Sequence, residues 1–293
     1  MTPATPRVWN KSVFFNILSG AMEKTGISVI KQLFSSDSYE TGPYEFVDPP
    51  GKKLSVYKTA CFYKSFIGVI LDARKQVVRG EYSSGRLIQS SFQVMKNLEK
   101  AGAKFSIKGL DNIRKAEGPV VIAANHMSTL ETAVFPCIIG LFKDCTFVVK
   151  KSLIKGPVFG PVMRFLEPVD VERKDPKKDL AAVMIKGAEL IGKGKSIVLF
   201  PQATRARGFN PAAFNSLGVK LAKRAGVSVV PCALKTDFWE NGKIISTIGK
   251  LYPERIVHME FGKPLAVEGA GRKEQEAIVS FIRSRVDAWK QPI

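Results

Sequence analysis

The sequence predicts an α/β fold, a mixed and partly parallel sheet flanked by helices, on three observations. Short apolar runs rich in β-branched residues recur at 120–124, 196–200 and 227–234, as buried strands require. Helical patterns stand between them, and strands alternating with helices build a partly parallel sheet. Two of the runs break abruptly into polar residues, at Asn125 and after Phe200. Such turns follow the carboxyl ends of strands, where open α/β sheets carry ligands.

The elements follow in order. Residues 13–18 and 27–34 read as short helices broken by Gly20 and Gly26. A turn-rich stretch ends in Asp48-Pro49-Pro50-Gly51, a boundary signal. Residues 54–79 mix Tyr57, Phe62, Tyr63, Phe66, Ile67 and Leu71 with Lys58, Lys64, Arg74 and Lys75. Two readings fit that helix: one lying in the plane of a membrane interface, or a core helix with solvated lysines. Residues 86–100 place Ile88, Phe92, Met95 and Leu98 on one face and stop at Gly102, an amphipathic helix. This divides the chain into an N-terminal helical segment, 1–102, with a possible membrane interface, and a second segment, 103–293.

In the second segment, strands are expected at 105–109, 120–124, 146–149, 169–171, 196–200, 227–234 and 256–261. Helices are expected at 132–141 despite Pro136, at 179–192, at 214–224 closed by Gly226, and at 272–289 with Ile278, Phe281, Ile282 and Val286 on one face. A Gly- and Pro-rich loop is expected around Gly156 to Pro161. No internal repeat is apparent.

The 293 residues carry 45% hydrophobic and 24% charged side chains, enough for a sizeable core, and a net charge of +19. That excess calls for an anionic partner: phospholipid headgroups, nucleic acid or phosphorylated small molecules. Four scattered cysteines and two histidines form no zinc pattern and read as reduced core thiols. No signal peptide or run of 18 apolar residues is seen. A membrane-bound form would therefore be peripheral, without a transmembrane span.

His126, in the turn after the second strand, has Glu131 five residues on and is the candidate general base. Ser128 to Glu131 also fits a capping box, in which a carboxylate three residues after the N-cap closes the start of a helix. The two readings are compatible, since a helix starting there holds Glu131 within reach of the imidazole. After residues 196–200 comes Phe200-Pro201-Gln202-Ala203-Thr204-Arg205. An arginine directly after a buried strand suits phosphate, whereas Lys220, Lys223 and Arg224 read as a solvated face. His258, inside a strand far from both turns, reads as structural.

Taken together the two turns resemble the glycerolipid acyltransferase family, typified by the 1-acylglycerol-3-phosphate acyltransferases. Asn125-His126 with Glu131 matches a first motif that usually ends in Asp. Residues 200–205 match a third motif that is usually Phe-Pro-Glu-Gly-Thr-Arg. Val230-Pro231-Cys232-Ala233-Leu234 matches a fourth, and Arg173 is a loose match for the arginine of a second. The resemblance spans residues 105–264, and its specificity comes from the order and spacing of several motifs together.

The resemblance implies transfer of a fatty acyl group from acyl-CoA or acyl carrier protein to the hydroxyl of a lysophospholipid, on the cytoplasmic face of an anionic membrane. No cofactor beyond the thioester co-substrate is implied. His126 and Glu131 would be catalytic, and Arg205, Thr204, Gln202, Arg173 and Asn125 would bind substrate. Gln202 and Ala203 depart from the usual Glu and Gly, which leaves the acceptor open between 1-acylglycerol-3-phosphate, glycerol-3-phosphate and another lysolipid. Two rival classes remain: a basic nucleic-acid-binding protein, against which the spread of the basic residues and the lack of a binding motif count, and a non-catalytic lipid carrier.

Overall fold

A computed structural model describes residues 23–42, 54–242 and 247–290. The helix expected at 13–18 and the boundary at 48–51 lie outside the described residues. Eight strands form one sheet: β1 (Ser38–Glu40), β2 (Lys104–Lys108), β3 (Val121–Ala124), β4 (Cys145–Lys150), β5 (Val169–Val171), β6 (Ser196–Leu199), β7 (Val229–Lys235) and β8 (Ile256–Phe261). Their order is β1-β2-β8-β7-β3-β6-β4-β5. The pairs β1/β2 and β7/β8 are antiparallel, and the rest are parallel. The expected mixed, partly parallel sheet is what the chain forms.

The strands alternate their side chains between two faces, as period-2 geometry demands. Ile122 and Ala124 of β3, with Val198 and Val230, face one core. Helices α1 (Glu23–Leu33), α2 (Leu54–Val78), α3 (Ser84–Lys100), α4 (Leu110–Arg114) and α5 (Leu130–Ile139) supply its other side. Val121 and Ala123 face a second core, closed by α8 (Pro176–Gly192), α9 (Leu217–Ala225) and α10 (Arg272–Ala288). Each large side chain so buried contributes about 1.5–3 kcal/mol. Gly218 lets α9 close on β3, since a Cβ there would stand 3.1 Å from that of Ala123.

The N-terminal segment is not wholly helical. β1 pairs with β2, and the Tyr39 and Thr41 hydroxyls each donate to Glu99 Oε1 of α3 at 2.7 Å. Strand β1 has one apolar residue, Tyr39, between Ser38 and Glu40, so no apolar alternation marks it in sequence, and its pairing is long-range, from Ser38 with Lys108 to Glu40 with Ser106. Helix α1 runs through Gly26 rather than breaking there, and a Cβ at that position would lie 2.7 Å from Nε2 of Gln89 on α3. The glycine serves close packing rather than a turn. The Gly- and Pro-rich stretch holds two short helices, α6 (Lys151–Lys155) and α7 (Gly160–Phe165); Pro161 sits in the first turn of α7, where the missing N–H costs nothing. Cys137, Cys145 and Cys232 are buried thiols, while Cys61 is exposed on α2.

Helix α2 has a buried face and an exposed one. Phe62, Phe66, Val69 and Ala73 form its buried stripe. Its outer face carries Val56 (73% exposed), Tyr57 (68%) and Leu71 (48%) among exposed Lys64, Arg74 and Lys75. Among the described residues no helix is long and apolar enough to cross a membrane.

Candidate active site

Three neighbouring parallel strands end at one edge of the sheet. Ala123 of β3 is level with Leu199 of β6, and Ala124 with Cys232 of β7. The residues after these strands therefore converge: Asn125 and His126 after β3, the turn 200–205 after β6, and Thr236 after β7.

His126 and Glu131 form the centre. His126 Nδ1 lies 2.9 Å from Glu131 Oε1, and the ring stacks on Phe200 with centroids 4.1 Å apart. Because an ionised carboxylate can only accept, Nδ1 carries the proton and Nε2 is left as the basic nitrogen. Glu131 is fully buried and takes four further hydrogen bonds. Met127 N (2.7 Å) and Ser128 N (2.9 Å) donate to Oε1; the hydroxyls of Ser128 (2.9 Å) and Thr236 (2.6 Å) donate to Oε2. Burial alone would raise its pKa, but His126, the Thr236 hydroxyl and the Ser128 amide outweigh it and hold the carboxyl below its ordinary value. The Ser128 amide bond is half of the expected capping box. The N-cap of α5 is Thr129, one residue later than that pattern implies. One carboxylate thus starts the helix and orients the imidazole.

The turn after β6 lies against this centre. Gln202 Nε2 faces two carbonyl oxygens, His126 O at 3.3 Å and Thr204 O at 3.5 Å, which fixes the amide's orientation. A glutamate in this conformation would set a carboxylate against both carbonyls, so an amide suits the position. Gln202 Oε1 is buried, with no partner among the described residues. Ala203, where the related motif usually has Gly, is left-handed (φ +61°), and Thr204 N bonds back to Gln202 O at 2.7 Å. Since a Cβ is strained there, Ala203→Gly is expected to stabilise the protein by about 1 kcal/mol. A denaturation midpoint unchanged or lowered in urea would refute this.

Arg205 Nη1 bonds to Asn241 Oδ1 at 3.3 Å. Partial burial lowers its pKa, Glu131 opposes that, and the positive charge of Arg173 adds to it. Arg173 is itself left-handed (φ +60°). The backbone N–H groups of Glu172 and Arg173 donate to the Asp179 carboxylate at 2.9 and 2.8 Å, which holds that conformation. Thr204 is exposed on the turn. Asn125, expected at the substrate, is turned elsewhere: it is buried, and both polar atoms of its side chain bond the backbone of Leu234 (2.9 and 2.8 Å). It clamps the end of β3 to β7. Lys220, Lys223 and Arg224 are exposed. His258 stacks on Trp289 at 5.0 Å; burial, with Lys235 and Lys108, brings its pKa down to about 4.

Sequence reasoning missed Thr236, Asn241 and Asp179. The first follows the strand paired with β3, but a parallel pairing over 100 residues leaves no local trace. Asp179 had a signal, an acidic residue in the first turn of a helix close after Arg173.

A model of the acyltransferase family matches residues 104–235. The chain is 30% identical to the 1-acyl-sn-glycerol-3-phosphate acyltransferase of Pseudomonas aeruginosa over 190 residues, 64% of this chain and 68% of that one. It is 30% identical to that of Borreliella burgdorferi over 191 residues, 64% and 71% of the two chains. The chain belongs to the acyltransferase family. It is an O-acyltransferase by that membership, and its fold agrees. The crystal structure of the 1-acyl-sn-glycerophosphate acyltransferase PlsC from Thermotoga maritima superposes with a TM-score of 0.59 at 20% identity, covering 83% of this chain and 98% of that one. In this acyltransferase the three converging strand ends fall within the matched residues, or directly after them in the case of Thr236.

Proposed function

We propose that this acyltransferase moves a fatty acyl group from an acyl thioester, acyl-CoA or acyl carrier protein, to the hydroxyl of 1-acylglycerol-3-phosphate. The observation that carries the reading is the buried Glu131 bonded to His126 Nδ1. It leaves Nε2 to take the hydroxyl proton as the oxygen attacks the thioester carbonyl. The carboxylate steadies the imidazolium that forms. The tetrahedral intermediate then expels the thiolate, which takes the proton back from His126. The nucleophile is the substrate's own hydroxyl, so the protein supplies none and no cofactor is needed.

Arg205, with Arg173 near enough to act on it electrostatically, would hold the acceptor phosphate. The acceptor's name comes from the relatives named above. The outer face of α2, apolar with a basic rim, would lie on the anionic membrane surface, each close Lys or Arg adding about 1 kcal/mol.

The test is thiol release from palmitoyl-CoA by the purified protein, with liposomes containing lysophosphatidate or with glycerol-3-phosphate. Release that requires lysophosphatidate, and protein that sediments with anionic but not neutral liposomes, would support the reading. Turnover with glycerol-3-phosphate alone would move the acceptor to the unacylated compound. Release with no acceptor dependence would refute acyl transfer.

A further inference from the structure

The connection between β7 and β8 folds back on itself as a strap. Trp239 and Leu251 form an antiparallel bridge. Glu240 N bonds Lys250 O at 3.0 Å, and Tyr252 N bonds Phe238 O at 2.9 Å. The two arms touch at Gly249, where a Cβ would fall 1.8 Å from Glu240 O. Only glycine fits there.

One end of the strap is held by α2. Trp239 is buried edge-on against Phe62 (4.9 Å) and Phe66 (5.1 Å). The Tyr63 hydroxyl donates to Gly249 O at 2.6 Å and accepts from Gly249 N at 2.8 Å. The other end reaches the site at Thr236, which donates to Glu131, at Glu240, which pairs with Arg207, and at Asn241. Asn241 Oδ1 accepts from Arg205 at 3.3 Å, and its Nδ2 donates to Met127 O at 2.7 Å. Met127 directly follows His126 and donates its own N–H to Glu131. The Asn241 amide accepts from the guanidinium and donates to the carbonyl at once, whereas an Asp in its place would lack the donor.

We propose that Asn241 is a positioning residue of the acyl transfer. It sets the Arg205 guanidinium against the His126 loop, on a strap whose own place is set by Tyr63 of α2. The inference rests on the acyltransferase reading and deepens it, linking the acceptor end of the site to the helix whose outer face meets lipid. Helix α2 fixes the strap's position through Tyr63 and Trp239 without itself having to move.

The experiment uses the full chain, with initial rates at varied lysophosphatidate and palmitoyl-CoA. Asn241→Leu is expected to raise the acceptor KM about tenfold, the loss of one hydrogen bond to a charged group, while the palmitoyl-CoA KM stays. Asn241→Asp should raise it further, because it adds a negative charge beside the guanidinium that holds phosphate. Tyr63→Phe, which removes both bonds to Gly249, should raise the acceptor KM by a smaller factor and add little on top of Asn241→Leu. Isothermal titration with glycerol-3-phosphate provides a readout independent of turnover. If the wild type binds it, fails to turn over, and loses affinity in Asn241→Leu, the positioning role stands and the reaction is wrong. Turnover with an unchanged acceptor KM in Asn241→Leu, or equal changes in both KM values, overturns the positioning role alone. A wild type that neither binds nor turns over overturns both.

Discussion

His126→Ala is expected to lower kcat for acyl transfer by about a thousandfold, within the range that a positioned general base supplies and equal to roughly 4 kcal/mol of barrier. The variant isolates chemistry from folding. Glu131 keeps four hydrogen bonds after the imidazole is gone, from Met127 N, Ser128 N and the Ser128 and Thr236 hydroxyls. The start of α5 therefore survives. What is lost is the one basic nitrogen at the site and the ring stacked on Phe200. The check is kcat measured beside a thermal melt. A protein that melts near the wild-type temperature and keeps activity within tenfold would remove His126 from the reaction. Substrate KM values should move little, because no phosphate contact is assigned to the ring.

The edge of the sheet explains why this much of the site was legible. His126, Gln202 and Arg205 lie in turns directly after apolar strands, and Glu131 lies in the first turn of the helix that follows the first of these turns, so local pattern and spacing were sufficient to mark them. The capping pattern carried more than it first suggested, since the carboxylate that closes α5 is also the partner of the imidazole. Other parts had no local signature. Thr236 donates to Glu131 across 105 residues, and only the parallel pairing of β3 with β7 brings it there. Asn125, a substrate contact on the family resemblance, has both polar atoms of its amide bonded to the backbone of Leu234, a pairing 109 residues away that leaves no local trace. In the fold, strands with a run or alternation of apolar residues were found, the three-residue β5 included, while β1, with Tyr39 alone between Ser38 and Glu40, was not. Gly26 looked like a break because a glycine's effect on sequence pattern is the same whether it bends the chain or admits a neighbouring helix.

Glu131→Ala should cost stability as well as rate, and its pH dependence distinguishes the carboxylate from an ordinary cap. The side chain is fully buried and its two oxygens collect five hydrogen bonds. Removing it leaves Met127 N, Ser128 N and the Thr236 hydroxyl without their acceptor in a buried place. Breaking a buried pair in this way costs about 3–5 kcal/mol, and the low end applies here because His126 can stay neutral. Glu131→Gln is the gentler change: its oxygen can serve Oε1's donors while its NH2 meets two hydroxyls that can rotate to accept. It should fold near normally yet turn over more slowly, since the imidazolium loses its counter-charge. The native carboxyl is held below its ordinary value, so the folded state binds its proton more weakly than the unfolded chain. Its contribution to stability is then fully present above the unfolded pKa of about 4.3 and fades as the pH falls through the lower, folded value. Urea midpoints of the wild type and Glu131→Gln measured from pH 7 down to 3 should therefore converge at the acid end. A gap that stays constant over that range would mean that folding does not shift the Glu131 pKa, and wild-type stability that falls relative to Glu131→Gln as the pH rises above about 4.3 would mean that the folded carboxyl is protonated; either outcome removes the counter-ion role.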